Sequence, residues 1–273
     1  MKDTVNVVVT GASGKMGRRI IRVAAETSGV CVAGASDQPG TDGVGKDAGT
    51  LAGLEPLGVV VADDLRKALE EAQGNKVVID FTRPEACAAH AAACAEKGVP
   101  LVVGTTGLGE DAKAPIEQAA AKVPVIMAPN MSVGANLMIL LARKAAESLA
   151  EEYDVEILEA HHGRKADAPS GTAMRLGEVV ADALGRDLTR DAVYHREGMP
   201  GPRGREEIGM QTLRGGDVVG EHTVYFFGQG DRLELTHRAG SRDIFAHGAV
   251  RAARWLTGRE AGLYGMEDVL RLA

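Results

Sequence analysis

The strongest constraint on this chain lies near its start. A valine-rich run from Val5 to Val9 passes without a break into Thr10-Gly11-Ala12-Ser13-Gly14-Lys15-Met16-Gly17, after which Ile20, Val23 and Ala24 mark one face of a helix. Strand, glycine turn and helix in that order form a dinucleotide fingerprint. Gly11 allows the tight turn, Gly14 lets backbone approach a pyrophosphate, and Gly17 permits close helix–strand packing. The spacing, G-x-x-G-x-x-G, departs from the commonest form. The next strand, over 30–35, ends in Ser36-Asp37. A carboxylate there accepts a hydrogen bond from a ribose hydroxyl; the competing reading is an aspartate in a polar turn.

Further strands are expected over 59–62, 76–81, 101–103 and 123–127, with helices between them. Asp63 or Asp64 caps one helix, Pro84 opens another at its first position, and Gly98 ends it. Strands alternating with helices predict an α/β fold with a Rossmann-like, doubly wound parallel sheet. Two loops leave the carboxyl ends of its strands, one with Gly104, Thr105 and Thr106, the other with Ala128, Pro129, Asn130 and Met131. Ligands of open α/β sheets bind at that edge, so both loops are expected to border the nicotinamide end of a cofactor.

Past Ser132 the pattern changes. A helix of about 17 residues and a strand over 154–160 are followed by strand-like runs at 192–196, 208–213, 221–227 and 232–237, without long helices between them. Such runs imply a second, α+β domain on a mixed or antiparallel sheet. The expected division is a dinucleotide-binding domain over 1–131, a substrate-binding and oligomerisation domain over 132–240, and a C-terminal helical segment, about 241–273, packing back on the first.

Composition narrows the function. A net charge of −7 with no basic stripe, and only 3% aromatic residues, argue against nucleic acid as a partner. Cys31, Cys87 and Cys94 are an odd number of thiols, which suggests a reducing compartment without a disulfide framework. No further ligands cluster near Cys87 and Cys94, so core packing explains them better than a metal. The first apolar run is too short for a signal peptide, and the apolar helix near residue 140 stops at Arg143 and Lys144, short of a membrane span. A cytoplasmic location is therefore expected.

Chemistry concentrates in residues 159–173, EAHHGRKADAPSGTA. His161, His162, Arg164 and Lys165 fall on a strand-to-helix connection, with Ser170 as N-cap and the N–H groups of Gly171 and Thr172 in the first helical turn. A carboxylate or phosphate fits such a place. The alternative is an exposed basic loop with an ordinary cap.

Together these stretches resemble the 4-hydroxy-tetrahydrodipicolinate (dihydrodipicolinate) reductase family. GASGKMGRRI, DFTRPE, VGTTG, MAPNMSVG, EAHHGRKADAPSGTA, VVGEHT and LTHRAGSRDIFAHGAVRAARWL carry the resemblance over nearly the whole chain. It implies a two-domain enzyme of lysine and diaminopimelate synthesis, usually a homotetramer, that reduces a cyclic imine or enamine dicarboxylate with NADH or NADPH. By position, His161 and Lys165 match the family's catalytic histidine and proton donor, and His162, Lys165, Ser170, Gly171 and Thr172 its substrate site. Gly11, Ala12, Ser13, Gly14, Lys15, Met16, Asp37, Gly104, Thr105, Thr106, Ala128, Pro129, Asn130 and Met131 match its cofactor contacts. Some members follow the acidic residue at 37 with an arginine for the 2′-phosphate of NADPH; this chain has Gln38. Two other classes compete. A semialdehyde-type dehydrogenase needs a nucleophilic cysteine on a loop, and a noncatalytic nucleotide sensor has no need of His161 and Lys165.

Overall fold

A computed structural model of the chain describes residues 4–149 and 152–270. It divides into two compact units, one made of the residues up to Val133 and those from Asp243 on, the other of Gly134–Arg242.

The first unit runs β1 (Val5–Thr10), α1 (Lys15–Glu26), β2 (Val30–Ser36), α2 (Ala48–Leu51), β3 (Val61–Ala62), α3 (Leu65–Glu71), β4 (Lys76–Asp80), α4 (Pro84–Lys97), β5 (Leu101–Val103), α5 (Glu110–Ala120) and β6 (Pro124–Met127). The second holds α6 (Val133–Leu149) from its second residue on, β7 (Asp154–His161), α7 (Gly171–Ala183), α8 (Leu188–Asp191), β8 (Ala192–Val193), β9 (Ile208–Arg214), β10 (Glu221–Phe227) and β11 (Arg232–Arg238). The chain then returns to the first with α9 (Asp243–Leu256), β12 (Gly262–Tyr264) and α10 (Met266–Leu270).

The first sheet has seven strands, all parallel, in the order β12-β6-β5-β4-β1-β2-β3. Strand order reverses between β1 and β4, and open α/β sheets bind ligands beside that reversal. Alternate residues of β1 feed opposite faces, as the two-residue period of a strand requires. Val5, Val7 and Val9 pack under α1 and α9, whereas Val8 joins Leu69, Cys87 and Ile116 on the other face. Asp64 caps α3 through the Arg66 N–H, and Gly98 ends α4 at a left-handed φ of 66°.

The second sheet, β11-β10-β7-β9-β8, is mixed: β7 and β9 are parallel, and β10 runs antiparallel to both β7 and β11. The run at 192–196 yields only the two residues of β8, because the chain then leaves the sheet; Arg196 ties it back by a two-pronged ion pair with Glu156. The short strand β12 was not foreseen. Its three residues carry no alternation of their own, and pairing with β6 makes them a strand. Among the described residues no helix is long and apolar enough to cross a membrane.

Candidate active site

The first unit carries a cleft of about 960 Å³ at the reversal, lined by Gly11, Ser13, Asp37, Gln38, Thr82 and Arg83. Its floor is backbone that only glycine allows. Gly11 has φ 63°, and a Cβ on Gly17 would lie 2.1 Å from the Gly11 carbonyl oxygen. Gly14 caps α1 without a side-chain hydrogen bond, and no acidic residue stands in the first turn, so that helix end is open to an anion. Asp37 Oδ2 accepts from the Ser13 N–H (2.8 Å) and from its hydroxyl, which ties the second strand's end to the turn.

Asp80 organises the far wall. Its carboxylate is wholly buried, meets His90 Nδ1 at 2.6 Å, and accepts the Thr82 hydroxyl (2.6 Å), the Thr82 N–H (3.0 Å) and the Thr105 hydroxyl (3.0 Å). Burial pushes this carboxyl up, but the bonds from His90, Thr82 and Thr105 hold it below the usual carboxylate range. One side chain thus joins the turn after β4 to the loop after β5.

The expected cofactor residues do not all converge on the cleft. Gly11, Ser13, Gly14 and Asp37 line it; residues 104–106 and 128–131 leave the same sheet edge but lie outside that lining. Ala12, Ala128 and Met131 are core side chains and Thr105 points inward to Asp80, so their contribution to a ligand is through backbone. Gly104 is bare because the Phe81 ring occupies the space of a Cβ, 2.2 Å away. Lys15 and Thr106 are exposed, and Met16 is partly buried. Sequence reasoning missed Arg83, whose Nη2 donates to Gln38 Oε1 at 2.5 Å. A cation therefore stands beside residue 38 after all, brought there from another strand's turn.

In the second unit, β7 places Glu159 and His161 on one face by its two-residue period. Register sets their neighbours, because His222 pairs with Glu159 and Arg214 with His161. Glu159 is wholly buried. It receives His161 Nδ1 (2.6 Å), both arms of Arg214 (2.8 and 2.9 Å), the Ser170 N–H (3.0 Å) and the Thr212 hydroxyl (3.2 Å). Burial opposes its charge, yet Arg214 and His161 hold the carboxyl below its ordinary value.

Ser170 caps α7, its Oγ accepting from the Ala173 N–H at 3.2 Å, and the same Oγ meets His222 Nε2 at 2.9 Å. Lys165 Nζ grips both Asp167 carboxylate oxygens at 2.8 Å, and Arg214 Nη2 holds the Asp167 carbonyl at 2.7 Å. His162 is anchored by its N–H to the Val218 carbonyl (2.8 Å), while its buried Nδ1 has no hydrogen-bond partner among the described residues. The structure thus places His161, His162, Lys165, Ser170, Gly171 and Thr172 on one strand-to-helix connection, and of these His161 and Ser170 bond Glu159 directly. Glu159, Arg214 and His222 were missed, although the i, i+2 spacing of Glu159 and His161 on an alternating strand was a readable signal.

A doubly wound parallel sheet with a glycine turn beside a cleft, joined in one chain to a histidine–lysine cluster on a mixed sheet, defines an oxidoreductase that uses a pyridine nucleotide. The family models described as "Dihydrodipicolinate reductase, N-terminus" and "Dihydrodipicolinate reductase, C-terminus" match residues 5–131 and 134–270. The chain belongs to the dihydrodipicolinate reductase family, and the resemblance read from its motifs is borne out. The 4-hydroxy-tetrahydrodipicolinate reductase of Anaeromyxobacter dehalogenans is 59% identical, covering 97% of this chain and 97% of that one. The enzyme of the same name from Syntrophotalea carbinolica is 52% identical, over 98% and 99%. A solved dipicolinate-bound dihydrodipicolinate reductase from Paenisporosarcina sp. TG-14 shares the fold, with a TM-score of 0.77 at 24% identity over 96% of this chain and 97% of that one.

Proposed function

We propose that this chain reduces 4-hydroxy-tetrahydrodipicolinate to tetrahydrodipicolinate with NADH or NADPH, a step of lysine and diaminopimelate biosynthesis. The observation that carries the reading is the strand-to-helix connection itself: His161 and Lys165 stand beside a capped helix start, where a dicarboxylate finds an ammonium, an imidazole and backbone donors.

The residues of the first unit fit a pyridine nucleotide, since the glycine turn leaves no room for a Cβ at Gly17 and opens a helix end into a cleft that Asp37 lines. Gly11, Ala12, Ser13, Gly14, Lys15 and Met16 would hold its pyrophosphate, Asp37 a ribose hydroxyl, and residues 104–106 and 128–131 its other half by backbone. The bound nucleotide supplies a hydride. Overall the substrate gains hydride and proton and loses one water. A hydride that reaches a ring carbon conjugated with an imine leaves electron density to be met by a proton, and His161 and Lys165 are the donors for it. Lys165, His162 and the helix start at Ser170, Gly171 and Thr172 hold the carboxylates.

The semialdehyde alternative fails on its nucleophile: burial pushes the thiols of Cys87 and Cys94 up, and Cys31 lies on β2, not on a loop. A second copy of the chain is the expected partner. Tyr225 and Phe227 stack at 5.5 Å on the face of β10 opposite buried Val224 and Phe226, and Phe227 stays exposed, apolar surface that a homotetramer would cover. A clean monomer by light scattering at micromolar concentration would refute this. The free cysteines fit a cytoplasmic enzyme. The reaction is tested by following NADH absorbance with and without the cyclic dicarboxylate; a sensor would bind NADH and leave it unoxidised.

A further inference from the structure

We propose that Glu159 is the positioning residue of this site: its ionised carboxylate keeps the His161 proton on Nδ1, so that His161 exchanges a proton with substrate through Nε2. The inference rests on the reductase reading and names the working atom within it. A carboxylate without a proton can only accept, so the hydrogen bond of 2.6 Å between Glu159 Oε2 and His161 Nδ1 has its hydrogen on the imidazole. Arg214 maintains that ionised state from the other side, with one arm on each oxygen, and Ser170 and Thr212 occupy Oε1 further. The neutral ring then bears its lone pair on Nε2, and the charged ring has only the Nε2 proton to release.

Two neighbours keep Nε2 available. Gly220 lies against it, and a Cβ there would stand 3.0 Å from Nε2, so a side chain at that position would crowd the atom. The His222 and His161 rings form a T-shaped pair with centroids 5.3 Å apart, and the Nε2 of His222 is engaged with Ser170 Oγ. Burial, with the nearby His161, pushes His222 down to about 4, so it stays neutral and does not compete for the proton. The arrangement also reaches Lys165. The Arg214 arm that holds Glu159 Oε1 takes the carbonyl of Asp167, whose carboxylate carries the Lys165 ammonium. Glu159 and Arg214 thereby set the positions of both proton donors from a place that needs no contact with substrate.

The test is the ring-nitrogen NMR spectrum of the full chain labelled with 15N-histidine, His161 being assigned by the signals lost in His161→Gln. At alkaline pH, where histidine is neutral, we expect the Nδ1–H tautomer. Glu159→Gln should show mixed tautomers, because an amide donates as well as accepts, with kcat lowered at least about a hundredfold and the NADH Kd changed less than about twofold. Gly220→Ala should keep the Nδ1–H signal and still lose kcat. A wild-type ring protonated on Nε2, an unmixed tautomer in Glu159→Gln, or an unchanged kcat in folded Gly220→Ala would each overturn the proposal. Should Glu159→Gln fail to fold, the wild-type spectrum and Gly220→Ala still decide. Absence of any turnover by the wild type would sink the reductase reading instead, and the tautomer is read without turnover.

Discussion

Asp80 and Glu159 begin alike and end differently. Each carboxylate is fully hidden from solvent, each meets a histidine Nδ1 at 2.6 Å, and each is held below the usual carboxylate range. Around Asp80 the remaining partners are the hydroxyls of Thr82 and Thr105 and one N–H, so its charge serves to join two loops of the parallel sheet. Around Glu159 the main partner is the Arg214 guanidinium, and the joined groups are a histidine and the connection that carries Lys165. The same carboxylate–histidine pair thus stands in two settings, one completed by hydroxyls and the other by a guanidinium.

The largest expected effect tests the structural side of that contrast. Asp80→Ala removes the anchor of both loops and leaves several buried donors without an acceptor, and should cost about 3 kcal/mol or more of unfolding free energy. NADH affinity should weaken with it while kcat at saturation is spared. Urea unfolding and calorimetric titration measure both; an unchanged midpoint would erase the distinction between the two carboxylates.

Acid should then separate the two regions. His222 is neutral in the fold, its value pushed from 6.5 down to about 4, mainly by burial. Between those values the unfolded chain binds more protons than the native one, so stability falls as pH drops from 6.5 towards 4, by about 3 kcal/mol in full. Asp80 and Glu159, being lowered carboxylates, hold their contribution until the pH falls below the ordinary carboxylate range. A denaturant midpoint measured from pH 7 to 4.5 should fall in the wild type and fall less in His222→Gln; parallel curves would contradict the burial argument.

His161→Ala and Lys165→Ala should each lower kcat at least about a hundredfold, roughly 2.7 kcal/mol, and Lys165→Ala should also raise KM. Nucleotide affinity should stay near normal, because neither residue belongs to the glycine-turn cleft. Steady-state kinetics with nucleotide binding measured separately would expose a purely electrostatic role as a raised KM with kcat intact.

The smallest effect concerns the nucleotide. Asp37 lines the cleft and is expected to favour a 2′-hydroxyl over a 2′-phosphate, with Arg83 beside Gln38 expected to temper the repulsion. NADH should be used at least as well as NADPH, and Arg83→Ala should widen its lead. A kcat/KM for NADPH more than about tenfold above that for NADH, roughly 1.4 kcal/mol, would contradict this.

What could be read in advance was what local chemistry decides. Pro84 and Gly98 bound α4, Asp64 and Ser170 cap their helices through their own side chains, and β10 has the limits its apolar run implies, because capping, φ preference and periodicity act within a few residues. The doubly wound parallel sheet followed as well, since alternating strands and helices leave few ways to bury both faces of a sheet. Three residues at Gly262–Tyr264 became a strand only by pairing with β6, and residues 194–196 lost theirs by leaving the sheet. Arg214 and His222 reached Glu159, and Arg83 reached Gln38, through strand register and sheet order. Sequence alone thus determined the long helices and strands, the glycine turn and the motif that holds His161 and Lys165, all set by neighbours along the chain. Tertiary structure alone decided which distant side chains surround them, because register places one strand's residues against another's and no local propensity encodes that choice.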